Sequence, residues 1–224
     1  MMRSIENHIK IASYNCNSAK NQVDLIRDII NDHDIVCLQE TFLSAANNRF
    51  IAGLCKNINF CVSDCVYNTS CEKGRPRGGL IIIWKSHLDK LISPILFHEN
   101  YLGIKINSGE NSHLIINTYM PYEDNSTQQL SKYREILASL SRDINSMQGS
   151  AVTVVGDMNA DPRPTRFWHE ILDFCSEFDM NVADLELGPN SFTFLSPAND
   201  STSWLDHIIT SRPDLINNID ILHH

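Results

Sequence analysis

Acidic, amide and phenol side chains stand at the ends of apolar runs in this sequence. Asn15 follows IKIASY, Glu40 follows IVCLQ, and Asn117 and Tyr119 lie in LIINTY. Asp157 and Asn159 come at and just after the end of AVTVVG, and Asp206 lies in SWLDHIIT. A strand end delivers a side chain rigidly to the rim of a sheet, where a pocket can form. One such residue alone more often caps a strand or serves a turn. Five strand ends carrying Asp, Glu, Asn or Tyr are much harder to explain as caps. Clustered carboxylates are what a hard divalent cation requires.

Composition limits what such a site can serve. The chain has 224 residues, 42% hydrophobic and 20% charged, with 18 Lys+Arg against 27 Asp+Glu and a net charge of −9. A polybasic protein that holds nucleic acid by bulk charge is excluded. A nucleic-acid enzyme with an acidic, cation-binding centre is not. No apolar run approaches the roughly 18 residues of a membrane span, and MMRSIENHIK has no secretory apolar stretch. A soluble domain that is not secreted and not membrane-bound is expected. Cys55, Cys61, Cys65 and Cys71 form the one cysteine cluster, without CxxC pairs. Reduced thiols explain that spacing better than zinc or disulfides.

The elements that must position these residues read as many short strands and few helices. Strands are expected at 9–14, 35–39, 58–67, 78–84, 101–106, 113–119, 151–155, 192–194, 205–210 and 219–222. Helices are expected at 22–31, 126–147 and 165–178; in the second, Leu130, Tyr133, Leu137, Leu140 and Ile144 form an apolar stripe. No linker divides the chain, so residues 1–224 read as a single domain of two packed sheets with helices outside.

Five motifs carry a resemblance across nearly the whole chain: YN at 14–15, LQET at 38–41, NTYMP at 117–121, GDMNADP at 156–162 and SWLDHIIT at 203–210. Their order and separations resemble the endonuclease/exonuclease/phosphatase superfamily. The tyrosine of NTYMP is similar to that of apurinic/apyrimidinic endonucleases and LINE-type retrotransposon endonucleases. RGGLIIIW at 77–84, YMPYEDNS and GDMNADPRPTRFW look most like the LINE enzyme, which precedes a reverse transcriptase.

The resemblance implies an α/β, four-layer sandwich, DNase-I-like, with two mainly antiparallel sheets flanked by helices. It implies Mg²⁺ (Mn²⁺ in its place) held by Glu40 and supported by Asn15, which also contacts phosphate. It makes Asp157 the carboxylate that handles the proton of water or leaving group, and Asn159 the amide that orients substrate and Asp157. Tyr119 would hydrogen-bond the scissile phosphate, Asp206 would orient a histidine, and Thr193 would contact substrate. The implied reaction is metal-assisted hydrolysis of a phosphodiester, with DNA as partner and no organic cofactor.

Such proteins close the site with a Ser-Asp-His motif on a last strand, and none occurs here. The expectation is a chain that stops before that motif and lacks one core strand. His207 should face away from Asp206 by strand alternation, with no partner evident. Arg163, Arg166 and the Lys73, Arg75 and Arg77 group are candidate phosphate contacts. Trp204 and Phe192 are candidates to stack against DNA, and Trp84 is expected in the core. Three other readings stay open: an abasic-site endonuclease, a superfamily phosphatase, and a catalytically dead nucleic-acid-binding remnant. Action in the nucleus, or else the cytoplasm, follows from the substrate alone.

Overall fold

The computed structural model describes residues 8–66, 77–109, 111–147, 149–189, 191–196 and 200–222. Lys73, Arg75, Cys71, His223 and His224, together with the side chain of Cys65, lie outside the described part. In chain order the elements are β1 (Ile11–Asn15), α1 (Val23–Asp32), β2 (Ile35–Gln39), α2 (Asn48–Ala52), β3 (Ile58–Val66) and β4 (Arg77–Lys85). There follow β5 (Ile92–Phe97), β6 (Tyr101–Ser108), β7 (Asn111–Tyr119), α3 (Thr127–Ser146), β8 (Ala151–Asp157) and α4 (Arg166–Glu177). The last are β9 (Asn181–Val182), α5 (Ala183–Leu187), β10 (Phe194–Leu195), β11 (Thr202–Ser203) and β12 (Asp206–Thr210).

Two sheets dominate. One has strand order β1-β2-β4-β3, the other β5-β6-β7-β8-β12-β9. Both are mainly antiparallel, with one parallel pair each, β1–β2 and β7–β8. The four layers follow from strand alternation. Val36 and Leu38 point to α1, where Ile26, Ile29 and Ile30 meet them. Ile35 and Cys37 point the other way, into the core between the sheets with Ile82, Trp84, Ile104, Ile115 and Val155. Beyond the second sheet, Ile116, Val152 and Val154 pack under Tyr133, Leu137 and Leu140 of α3 and Phe167 and Ile171 of α4. Ser126 caps α3 by accepting from Gln129 N at 3.1 Å, and Thr165 caps α4 by accepting from Trp168 N at 3.2 Å. Among the described residues no helix is long and apolar enough to cross a membrane.

The sequence expectations differ from this fold in a few places. Residues 92–97 form strand β5 although Pro94 interrupts the pattern; it is an edge strand, irregular between Pro94 and Leu96, where a missing donor is tolerated. The expected strand at 219–222 has no regular structure. Of the expected strand at 192–194, Phe194 alone is in a strand, the two-residue β10, which pairs with β11. Helices α2 and α5, five residues each, are too short to show a period.

Candidate active site

The strand-end residues converge where the two sheets meet. In the second sheet, Tyr119 of β7 is paired with Asp157 of β8, and Asp157 with Asp206 of β12, so the three stand in one row. The first sheet supplies Asn15 at the end of β1 and Glu40 just after β2. Asn15 joins the two sets: its Nδ2 donates to Glu40 Oε1 and to Asp157 Oδ2, each at 2.8 Å.

Two of these positions rest on unusual backbone. Glu40 has φ 49° and Asn159 φ 48°. Asn tolerates the left-handed region; Glu does so only when its surroundings hold it there. The hold comes from the glycine pair that opens β4. Thr41 N and Phe42 N donate to Gly79 O and Gly78 O, both at 3.1 Å, while Ser18 N donates to Glu40 O at 2.8 Å. The RGG motif is therefore part of how Glu40 reaches the site. Gly156 supports the other side: a Cβ there would lie 2.2 Å from Thr118 O, so only glycine lets β8 run this close to β7.

Asp157 is buried, and Asn159 N donates to its Oδ1 at 2.9 Å. Its carboxyl is pushed well above the usual carboxylate range, first by burial and then by the charge of Asp206, against the donors Asn15 and Asn159. Asp206 is raised as well, again chiefly by removal from water, while a hydrogen bond from Thr193 and the neighbouring His207 oppose the shift. Burial raises the Tyr119 phenol, and the Glu40 and Asp157 carboxylates add to it. The site thus gathers more negative charge than its own groups offset.

That surplus suits a cation. Among the described residues no three His, Cys, Asp or Glu side chains form a closed metal cage. Mg²⁺ does not need one, because it keeps several waters and takes one or two carboxylates. Glu40, with Asn15 beside it, fits such an ion; Asp157 and Asp206 stand behind it as further carboxyls, both raised by burial.

The remaining expected residues are placed as follows. Asn159 lies at the site, its Nδ2 donating to Met120 O at 2.8 Å. Thr193 is brought to Asp206, but its Oγ1 accepts from Leu205 N at 2.8 Å and Asp206 N at 3.0 Å, which makes it a strut for that carboxylate. Arg163 forks onto Asp161 at 2.6 and 2.8 Å, and Arg166 pairs with Glu123 at 3.1 Å. Both guanidiniums are thus anchored beside the site. Trp204 donates its indole N–H to Asp184 at 2.7 Å. It lines a cleft of about 700 Å³ with Asp161, Arg163, Phe192 and Ser203. Trp84 is buried between the sheets, as expected.

His207 corrects an expectation. It does face away from Asp206, yet it has partners: Nδ1 meets Asp184 Oδ2 at 2.9 Å and Nε2 meets Ala160 O at 2.8 Å. Asp184 had no sequence signal, since a single Asp in VADL reads as a helix start. Asp161 was legible only as part of GDMNADP.

Comparison with known proteins gives the same direction. The family described as Endonuclease/Exonuclease/phosphatase family matches residues 12–218. No curated protein matches the sequence. An AP endonuclease from Archaeoglobus fulgidus superposes with TM-score 0.67 at 19% identity, covering 92% of this chain and 88% of its own. The AP endonuclease of Leishmania major gives 0.69 at 14% identity, covering 92% and 79%. A 3′ phosphatase from Neisseria, bound to a product DNA hairpin, gives 0.67 at 13% identity, covering 91% and 86%. At these identities the likeness shows a shared fold. With the family match spanning nearly all of the sequence, the chain belongs to the endonuclease/exonuclease/phosphatase family.

Proposed function

We propose that this chain is a metal-dependent phosphodiester hydrolase, a DNA endonuclease that nicks target DNA as the first step of retrotransposition. The observation that carries the hydrolytic reading is the Asn15 bridge, which binds Glu40 and Asp157 into one cluster beside Tyr119 and Asp206. Glu40 and Asn15 would hold Mg²⁺ or Mn²⁺, and the ion would supply charge neutralisation for the phosphate. Tyr119 donates a hydrogen bond from its phenol to a phosphate oxygen. Its raised pKa keeps that proton in place at neutral pH. Asp157, buried and poised high, takes or returns a proton at the water or the leaving oxygen. Asp206, fixed by Thr193, sets the charge and orientation around it.

DNA as substrate is supported by family membership and by structural relatives named as AP endonucleases. The retrotransposon assignment is supported by Tyr119 in NTYMP and by the RGGLIIIW and GDMNADPRPTRFW runs. It implies a reverse transcriptase domain on the same parent polypeptide and action in the nucleus. An abasic-site endonuclease is the second reading, favoured by those same structural relatives.

Three substrates separate these readings. Mg²⁺-dependent opening of intact supercoiled plasmid, with small phosphomonoesters left untouched, supports the proposed function. Cleavage confined to duplexes carrying an abasic site moves it to the second reading. Phosphate release from the small substrates without nicking makes it a phosphatase, and binding without any cleavage makes it an inert nucleic-acid-binding domain.

A further inference from the structure

One buried ionisable pair takes no part in the chemistry above. His207 is 1% exposed and Asp184 4%. Both ring nitrogens of His207 face acceptors, the Asp184 carboxylate at 2.9 Å and the Ala160 carbonyl at 2.8 Å. The ring is thus held at both ends, by the Asp184 carboxylate and by the Ala160 carbonyl. Asp184 is also saturated with donors: besides His207, its oxygens accept from Trp204 Nε1 at 2.7 Å and Ile208 N at 2.6 Å. A buried pair persists at low cost only when its remaining groups are satisfied in this way.

What the pair connects is more informative than its energy. After Asn159, whose backbone is left-handed, the GDMNA loop ends on Ala160. Its carbonyl is one end of a chain that runs through His207 and Asp184 to the Trp204 indole. Met158 N donates to Leu205 O at 2.9 Å, so the same loop is stitched to the segment just before Asp206. We propose that His207 is a positioning residue: with Asp184 it clamps the Ala160 carbonyl and so holds the loop bearing Asp157 and Asn159 in register with Trp204 and Asp206. The inference rests on the hydrolytic reading for its consequence but not for its geometry.

Two conservative variants separate the arms of the clamp. In His207→Asn the side-chain nitrogen falls near the former Nδ1, keeping the Asp184 bond and losing Ala160. In His207→Gln it falls near the former Nε2, keeping Ala160 and losing Asp184. Amide hydrogen exchange across residues 157–161 is the deciding measurement, with nicking kinetics alongside. His207→Asn is expected to speed exchange there about tenfold and to lower kcat by about 10–10²-fold with little change in KM, as a misplaced group does. His207→Gln, which keeps the Ala160 arm but loses its anchor on Asp184, is expected to retain clearly more protection and kcat than His207→Asn while falling short of the parent. If both variants lose protection and kcat equally, in step with their melting temperatures, or if His207→Asn changes neither, the clamp is overturned. Failure of both to fold assigns the pair a purely structural role and overturns it too. Should only one fold, survival of His207→Gln supports the clamp and survival of His207→Asn overturns it. A parent that nicks no DNA defeats the hydrolytic reading alone, because exchange still decides the clamp.

Discussion

Asp157 and Asp206 are directly opposed residues of the β8–β12 ladder, two carboxylates side by side at the rim of one sheet. Like charges opposite each other destabilise a sheet, and here burial removes much of the water that would screen them. Both carboxyls are raised, each chiefly by burial, and Asp157 further by the charge of Asp206. A fold keeps such a pair at the expense of stability when the pair serves a site.

The cost has a sign that can be measured. Asp157 holds its proton more tightly folded than unfolded, so it favours the folded state below the unfolded value of 3.8. That contribution is lost as pH rises from 3.8 towards the folded value, and the loss is complete above it. In metal-free buffer, Asp157→Asn should therefore melt with the parent at about pH 3.8 and above it at pH 7. A gain of 1 kcal/mol corresponds to about 2–4 °C for a chain of this size. Added Mg²⁺ should narrow the gap by raising the parent. A variant that melts below the parent at pH 7 would show that the carboxylate stabilises the fold.

Gly156 makes a second prediction, on stability alone. Alanine there places a Cβ 2.2 Å from the Thr118 carbonyl, at φ 132°. The β7–β8 pairing that sets Tyr119 beside Asp157 would have to open. Gly156→Ala should lose more than about 4 kcal/mol, the range reserved for such clashes, seen as insoluble expression or a collapsed melting temperature. A soluble variant within a few degrees of the parent would contradict the close approach.

A third prediction concerns the seam between the sheets. Asn117 of β7 donates across it to Leu38 O at 3.0 Å and Ile81 O at 3.1 Å and accepts from Gln39 Nε2 at 2.6 Å. Asn117→Ala leaves those buried groups short of partners, at about 1–3 kcal/mol. Because Gln39 precedes Glu40 and Asn117 lies two residues before Tyr119, nicking should fall further than the stability loss explains. Urea melts and nicking rates on the same preparations test this.

Much of this was legible before the structure, for identifiable reasons. Strands such as IVCLQ and GGLIIIW are apolar up to their ends because both faces are covered, and their ends mark where polar side chains such as Gln39 emerge. The row of Tyr119, Asp157 and Asp206 follows once β7, β8 and β12 are neighbours. Strand β5 was hidden because Pro94 breaks its pattern, and α5 because five residues show no period. The His207–Asp184 pair was hidden for a different reason. Its residues are 23 apart, and only tertiary packing brings them together. The pairing of Arg163 with Asp161 and of Arg166 with Glu123 was equally out of reach, since spacing suggests a phosphate contact before it suggests an internal partner.

Tyr119 offers a fourth prediction. Its ring packs against the core between the sheets, while its phenol faces Glu40. Tyr119→Phe keeps the ring and removes the donor. Melting temperature should hold within a few degrees, and kcat should drop by about 10²–10³-fold, as for a lost oxyanion donor. An unchanged kcat would remove Tyr119 from the reacting centre.

The most direct test of the account is Glu40→Gln, which removes one charge at constant shape from the residue assigned to the metal. The rate of nicking of supercoiled plasmid is measured for parent and variant across Mg²⁺ concentrations, with Mn²⁺ as a check. The account predicts that the parent opens the plasmid only with divalent metal, and that the variant is slower by about 10²–10⁴-fold. It also predicts that more Mg²⁺ recovers part of the loss. A variant that nicks as fast as the parent at every Mg²⁺ concentration would contradict the assignment of the site.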